Sequence, residues 1–339
     1  MPMIAALIAI AGVIAAAFGL TFAGHAGQVI LGIVVPYAAF AFFLAGFVLK
    51  VLGWMNVPVP FRIPTTCGQQ ESLPWIKQSK IEAPSGTPGV VARMLLEVLF
   101  FRSLLRNTKS QAMDVNGPRL AYQTEIFLWL AGLAFHYTFL VVFLRHFRLF
   151  VGKVPFFVPP IEALDGWFQI TLPTFYMTGG ILVLAAGYLF IRRIINPQVK
   201  YISLAADYFP LLLILSIAIT GILLRYVLKT DVVATKAFLT SLFAFSPKLP
   251  ENPDDISYMV FVHMFLVSTL VAYFPASKLM HMGGVFLSPT RNLANNSRRV
   301  RHINPWNDPN IKPHSYEDYE NDFRKAMKGA GLPLEKDED

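Results

Sequence analysis

The sequence is poor in charged residues. Only 15% of its 339 residues are charged, whereas a soluble domain usually carries about a quarter. The shortage comes from apolar runs of roughly 20 residues, long enough to cross a hydrocarbon core about 30 Å thick. The chain is therefore predicted to be an integral membrane protein. Its net charge of +8 lies in loops and in the C-terminal tail, so it indicates membrane orientation and argues against nucleic-acid binding.

The sequence has a single cysteine, Cys67. One cysteine can form no intrachain disulfide and cannot supply the thiolates that hold an iron–sulfur cluster. Any iron–sulfur chemistry linked to this chain must therefore belong to a partner. The N-terminus also lacks a charged leader region and a convincing cleavage site, so its first apolar run is predicted to be a transmembrane helix.

The apolar runs predict an all-α membrane fold with six transmembrane helices, at residues 3–22, 29–54, 122–144, 170–191, 208–227 and 258–281. The chain then divides into two N-terminal helices (1–54), a long loop with an amphipathic helix (55–121), a four-helix bundle (122–281) and a C-terminal tail (282–339). The amphipathic helix is expected at 89–107. It either lies on the membrane surface or a partner, or packs on the ends of the spans.

Basic residues are concentrated in the long loop, in the segment around Arg192, Arg193 and Lys200, and in the tail. With six spans, all three fall on one side of the membrane. The positive-inside rule then places the long loop and both termini in the cytoplasm, with the chain in the cytoplasmic membrane. The tail is expected to form a helix capped by Ser315 and to become ordered only against a partner.

Four of the seven histidines fall in or at the ends of the third and sixth spans, and they are His136, His146, His263 and His281. Ionisable residues inside a membrane are costly and usually face a cavity, a partner or a cofactor. One such histidine is readily explained by packing. Two in each of two spans favour metal ligation, so we interpret the four as axial ligands of haem iron.

The spacing predicts which histidines meet. His136 and His146 are ten residues apart, about 15 Å along a helix, and His263 and His281 are eighteen apart, about 27 Å. The two spans run in opposite directions, so His146 should meet His263, and His136 should meet His281. Each pair would hold one haem b, giving two haems near opposite membrane faces. The two histidines of the sixth span are thus further apart along the helix than the two of the third span. Tilted haems or a kink at Pro275 would be needed to bring both pairs together.

Haem propionates need cationic or hydrogen-bonding partners. Arg145 and Arg225 lie at the ends of the third and fifth spans, and Lys278 lies near His281. These three are candidate propionate partners, although each also suits an interfacial anchor.

The pattern His-x9-His, two intervening spans and His-x17-His resembles the gamma subunit of respiratory nitrate reductases. The extra N-terminal span, the long loop with FRIPTTCGQQ and the tail HSYEDYENDFRKAMKGAG are similar to the DsrM-type membrane cytochrome b subunit of the sulfite-reduction-associated (Dsr) complex. The resemblance covers essentially the whole chain and extends to relatives in heterodisulfide reductase complexes.

The resemblance implies an electron-transfer subunit of a menaquinol-linked oxidoreductase complex in dissimilatory sulfur metabolism. Its cytoplasmic partner would be a heterodisulfide-reductase-like iron–sulfur subunit. Further implied partners are a multihaem cytochrome c, a periplasmic iron–sulfur protein and a second membrane subunit.

The resemblance defines the quinone site less well than it defines the haem ligands. The nitrate reductase family uses a lysine at the start of the span after the first histidine helix, and this sequence has none there. Lys153 in the preceding loop is the nearest substitute, and Arg145, Asp165 and Tyr258 are further candidates.

Other functions stay open at this point. The chain could be the membrane subunit of another quinone-linked reductase, of the nitrate or heterodisulfide type. It could also be a membrane anchor for a partner enzyme. A transporter with a histidine proton relay is the non-redox alternative.

Overall fold

The fold is mostly helical, as the sequence predicts. The computed structural model describes residues 1–57, 68–106, 108–114, 117–167, 173–300, 310 and 312–336, so Cys67 lies outside the described residues. The helices in chain order are α1 (Pro2–Thr21), α2 (Gly24–Val29), α3 (Val35–Met55), α4 (Thr87–Phe100), α5 (Arg102–Leu105), α6 (Ile126–Phe150), α7 (Val158–Asp165), α8 (Met177–Ile195), α9 (Pro197–Ile202), α10 (Ala205–Leu223), α11 (Val232–Phe243), α12 (Tyr258–Tyr273), α13 (His281–Gly284), α14 (Pro289–Asn292) and α15 (Tyr316–Gly329).

Short helical turns connect or extend several of these helices. Turns of π-helix join α2 to α3 and prolong α10, at Ile30–Val34 and Leu224–Leu228. Turns of 3-10 helix lie at Pro253–Asp255, Phe274–Ala276, Lys278–Met280 and Val285–Leu287. Ser315 caps α15 through its side chain, which confirms the predicted N-cap.

Among the described residues, six helices are long and apolar enough to span a membrane, at Pro2–Thr21, Gly24–Met55, Ile126–Phe150, Met177–Ile195, Ala205–Leu228 and Tyr258–Ala276. The number of spans is therefore confirmed, and the protein is a multi-pass membrane protein. Most predicted ends lie within four residues of the observed ones, but the second span begins five residues earlier than predicted and the third ends six residues later. Three further boundaries differ for reasons that the structure shows.

The third span begins at Ile126, four residues later than predicted, because the preceding residues form a β-hairpin. Strand β1 (Thr108–Asp114) pairs antiparallel with β2 (Pro118–Thr124). The sequence alone predicts that this stretch belongs to the long loop and to the start of the third span. The fold is thus all-α in its membrane part and carries a two-stranded sheet beside it.

The fourth span begins at Met177, not at residue 170. Two side chains of the π-turn that prolongs α10 form hydrogen bonds with backbone groups just before α8. Arg225 donates to the Thr174 carbonyl, and the Tyr226 hydroxyl accepts the Tyr176 N–H. These groups are therefore unavailable for helical hydrogen bonds. Tyr176 is extended, with φ −94° and ψ 119°.

The sixth span was predicted as one helix through His281, and this prediction is wrong. The α-helix ends at Tyr273, a 3-10 turn follows to Ala276, and Ser277 is extended at φ −113° and ψ 173°. Pro275 lacks the N–H that the helix would need at that point. Ser277 then caps the next turn by accepting the Leu279 N–H. His281 therefore starts a separate short helix.

The bundle core forms where α1, α10 and α12 meet. Ile10, Leu213, Val262 and Leu266 are buried there. A second cluster around Leu31, Phe238 and Phe261 joins the second span to α11 and α12. The N-terminal helices thus pack directly on α12, the helix that carries His263.

One end of the bundle, which we call the loop side, carries α4 and the segment that follows His281. Arg93 of α4 is only 4% exposed and donates to the side chain of Asn295 and to the carbonyls of residues 82, 291 and 293. Burial, followed by the charge of Arg291, lowers the pKa of the Arg93 guanidinium. Arg93 thus fixes α4 to the segment that follows His281, and the opposite face of α4, with Val91, Leu95 and Val98, stays exposed.

Candidate functional site

The structure brings the four histidines together in two pairs, although His281 lies beyond the end of the sixth span. His136 of α6 lies beside His281, with ring centres 5.9 Å apart. His146, nearly three turns further along α6, lies beside His263 of α12, with ring centres 6.4 Å apart. We call the first the loop-side pair and the second the far pair. The break at Ser277 removes the mismatch between ten and eighteen residues, because His281 does not continue the helical rise of α12.

Three of the four imidazoles are oriented by carbonyls of their own helical turns. The Nδ1 atoms of His136 and His146 lie 2.7 Å from the carbonyl oxygens of Gly132 and Val142. His281 Nδ1 lies 2.8 Å from the Lys278 carbonyl. A carbonyl can only accept, so each Nδ1 carries the proton and each Nε2 keeps its lone pair.

His263 reaches the same state through another helix. Its Nδ1 lies 2.8 Å from the hydroxyl of Thr220 on α10. That hydroxyl lies 2.9 Å from the Ser216 carbonyl and donates to it, so its oxygen accepts from His263. All four Nε2 atoms are therefore free to ligate a metal. A ligating histidine typically donates its other N–H to such an acceptor.

The separation within each pair fits one iron ion between two imidazoles. A histidine nitrogen binds a metal ion at about 2 Å, so two imidazoles on opposite sides of an ion have ring centres roughly 6 Å apart. The rings are nearly perpendicular in the loop-side pair, at 81°, and nearly parallel in the far pair, at 14°. The residues present fit a bis-histidine haem at both positions.

Glycine allows close approach at both pairs. A methyl group on Gly132 would lie 3.1 Å from the Leu104 side chain. One on Gly221 would lie 3.4 Å from His263. The absence of a side chain at Gly132 lets α5 approach α6, which carries His136. The absence of one at Gly221 lets α10 approach His263 on α12.

A polar cluster lies beside the far pair. Asp165 is buried and accepts hydrogen bonds from the backbone and hydroxyl of Thr178, at 2.8 and 2.6 Å. Arg145, adjacent to His146, lies 3.1 Å from Asp165. The guanidinium groups of Arg145 and Arg225 lie 3.9 and 4.2 Å from the ring centre of Tyr176. These five residues form what we call the far-side cluster.

The other candidate residues lie elsewhere. Lys153 is exposed in the turn after α6. Tyr258 is half-exposed at the start of α12, and its ring contacts that of Phe18 at 6.4 Å. Neither shares a hydrogen bond or ion pair with the far-side cluster among the described residues. Lys278 forms an ion pair with Asp207 at 2.7 Å, and the carbonyl of this lysine is the acceptor of His281 Nδ1.

A protein-family model described as the nitrate reductase gamma subunit matches residues 94–302, which include all four histidines. The chain belongs to this family. Two similar relatives, from Archaeoglobus fulgidus and Archaeoglobus profundus, are both named "Hdr-like menaquinol oxidoreductase cytochrome b-like subunit". The first is 42% identical over 84% of this chain and 85% of its own length. The second is 38% identical over 81% and 82%.

Sequence reasoning missed several residues that the structure places at these sites. Thr220 had a detectable signal, because it follows Ser216 by one turn within an apolar span. Tyr176 and Thr178 had none, because the start of the fourth span was misplaced. Phe101, whose ring contacts His136 at 4.9 Å, had no signal because the amphipathic helix was expected to continue through it.

Proposed function

We propose that this family member is a di-haem cytochrome b that passes electrons from menaquinol to a cytoplasmic iron–sulfur partner. The observation that carries the proposal is the pairing of four histidines, three in the third and sixth spans and His281 just beyond the sixth, with ring separations of 5.9 and 6.4 Å. Each bound haem would supply one-electron redox chemistry between the membrane faces. The chain would fix the spacing and the potential of the two haems.

The number of ligands at each position supports haem over another metal centre. Within the described residues, no group of three or more histidine, cysteine, aspartate or glutamate side chains is placed to hold a metal ion. Each position therefore offers two nitrogens. Haem iron needs only two axial ligands, because the macrocycle supplies the other four.

The far-side cluster is the strongest candidate for quinol oxidation. Menaquinol must lose two electrons and two protons, so it needs a proton acceptor near the first haem. Asp165 offers a buried carboxylate 3.1 Å from the guanidinium of Arg145, the residue before His146, and Arg145 offsets its negative charge. Arg145 and Arg225 are also the proposed partners of the propionates of the far haem. Lys153 and Tyr258 stay weaker candidates for the quinone.

The loop side is the proposed exit for electrons. It carries the loop-side pair, Lys278 as a candidate propionate partner, and the buried Arg93 network. With the loop side and both termini in the cytoplasm, an iron–sulfur subunit would dock here in the cytoplasmic membrane complex.

The names of the two relatives mention Hdr-like menaquinol oxidoreductases, which supports a heterodisulfide-reductase-like partner. We assign the chain more narrowly to the DsrM type, in dissimilatory sulfur metabolism. A multihaem cytochrome c, a periplasmic iron–sulfur protein and a second membrane subunit would complete the complex. Co-purification from native membranes tests this assignment.

Haem analysis of the purified chain tests the proposed function. The chain is produced in haem-replete cells, and its haem content and reduced visible spectrum are measured. The expected result is two b-type haems per chain, both reducible by dithionite and at least one by a menaquinol analogue. A colourless protein would refute the proposal and favour a transporter or an anchor. Two haems without reduction by quinol would refute the menaquinol assignment.

A further inference from the structure

The end of α4 forms an elbow that contacts the loop-side pair. Phe101 lies between α4 and α5 with φ +49°, a left-handed conformation that is costly for a side chain of this size. Its ring meets the His136 imidazole edge-on, with centres 4.9 Å apart and planes at 88°. Phe135 contacts the same imidazole at 5.1 Å. Two aromatic rings thus confine the orientation of His136.

The elbow is anchored to the helix that carries His136. Trp129 of α6 donates its indole N–H to the Phe100 carbonyl at 2.8 Å. Tyr137, next to His136, donates its hydroxyl to the Leu99 carbonyl at 2.8 Å. Gly132 leaves room for the elbow, because a methyl group there would lie 3.1 Å from Leu104. These contacts hold Phe101 in register with His136.

The middle and the last turn of α4 are fixed to the layer outside the bundle. Arg93 donates to Asn295 at 2.9 Å and to the Leu293 carbonyl at 3.0 Å. Glu97, one turn before Phe101, pairs with Arg291 at 2.8 Å and also accepts the Ser103 N–H. Helix α4 therefore connects the segment after His281 with the contact on His136. A movement of this layer would be transmitted to the imidazole.

We propose that Phe101 is a positioning residue for the loop-side haem, and that the elbow couples this haem to the layer formed by α4 and residues 291–295. Its ring fixes the plane of the His136 imidazole, and so the 81° angle to His281. The relative orientation of two axial imidazoles sets the splitting of the iron d orbitals in a low-spin haem. Hydrogen bonds and solvent access at the ligand also tune its potential. This inference rests on the proposed di-haem function.

Phe101→Gly is the direct test. Glycine adopts φ +49° without strain, so the variant removes the ring while favouring the backbone of the elbow. Phe245→Gly is a matched control, because Phe245 also has a positive φ, of 55°, and its ring stacks on Tyr37 away from the histidines. The readouts are haem content, the EPR spectrum of the oxidised protein, and an optical redox titration. His281→Ala identifies which signal belongs to the loop-side haem.

In Phe101→Gly, the EPR signal and midpoint potential of the loop-side haem should shift, while those of the far haem stay unchanged. Phe245→Gly should leave both haems as in the wild type. Unchanged signals in Phe101→Gly, or equal shifts in both haems, would overturn the inference. If Phe101→Gly does not accumulate, Phe101→Leu serves instead, with a smaller shift expected in the same haem. A wild-type protein without two low-spin haems would refute the proposed function itself, which keeps the two failures distinguishable.

Discussion

The loop-side pair and the far pair use the same ligands but are held in different ways. The far pair joins two unbroken helices, its rings are half-buried, and one of its histidines is supported from a third helix by Thr220. The loop-side pair joins α6 to a short helix beyond the break at Ser277, and both of its rings are exposed in the isolated chain. Among the described residues of the long loop, Phe101 makes an aromatic contact with the loop-side pair, and none makes one with the far pair.

This difference suits a division of work between the two haems. One histidine of the far pair follows Arg145, which pairs with the buried Asp165, and this suits the proposed site of quinol oxidation. The loop-side pair sits where extramembrane segments can reach it, as an exit to a partner requires. Variants that affect one pair and not the other would break or sharpen this division, and the largest effect is expected from the histidines themselves.

Removing one histidine from each pair should interrupt electron flow at different points. His281→Ala should keep a far haem that a menaquinol analogue still reduces, while transfer to the partner stops. His263→Ala should keep a loop-side haem that quinol no longer reduces. Stopped-flow absorbance of the remaining haem measures this. Equal quinol reduction in both variants would contradict the division of work.

Asp165→Asn should slow quinol oxidation by about 100-fold, since general bases typically contribute 10²–10⁴-fold. The haems should remain reducible by dithionite. Asp231→Asn is a suitable control, because Asp231 caps α11 and asparagine caps equally well. An Asp165→Asn rate equal to that of this control would remove Asp165 from the quinol site.

Thr220→Val should weaken the far haem alone. Losing the acceptor of His263 Nδ1 is expected to lower haem affinity by about 10- to 100-fold. Thr269→Val makes a good comparison, because among the described residues the Thr269 hydroxyl donates to the Phe265 carbonyl of its own helix and to no other helix. Haem loss to apomyoglobin measures the effect for each haem. Loss of both haems at the same rate in Thr220→Val would contradict the separate support of the far pair.

Gly132→Ala should have the smallest effect. The new methyl group would press on Leu104, whose flexible end can move, so a slight spectral shift of the loop-side haem is expected. Gly187→Ala meets no atom within 4 Å and should gain up to about 1 kcal/mol of helix stability. Thermal unfolding followed at the haem band compares the two. A larger gain in Gly132→Ala than in Gly187→Ala would argue against close packing of the elbow.

Much of the bundle could be predicted because its signals are local. Six apolar runs define six spans, and the antiparallel order of two of them suffices to pair His146 with His263 and His136 with His281. Capping residues such as Ser315 are equally readable, since the cap and its partner lie within one helical turn.

The missing features depend on contacts distant in sequence. Pro275 predicts a kink, but the full break also needs Ser277 to cap the next turn. The late start of the fourth span depends on Arg225 and Tyr226, about 50 residues away. The elbow at Phe101 depends on α6 side chains that bind its carbonyls. None of these contacts leaves a periodic pattern in the sequence.

The haem content of single and double histidine variants tests the central claim most directly. If the pairs are correct, His146→Ala, His263→Ala and their double variant each lose the same one haem, and His146→Ala with His281→Ala loses both. Loss of both haems in the His146→Ala and His263→Ala double variant, with one haem lost in each single variant, would contradict the pairing.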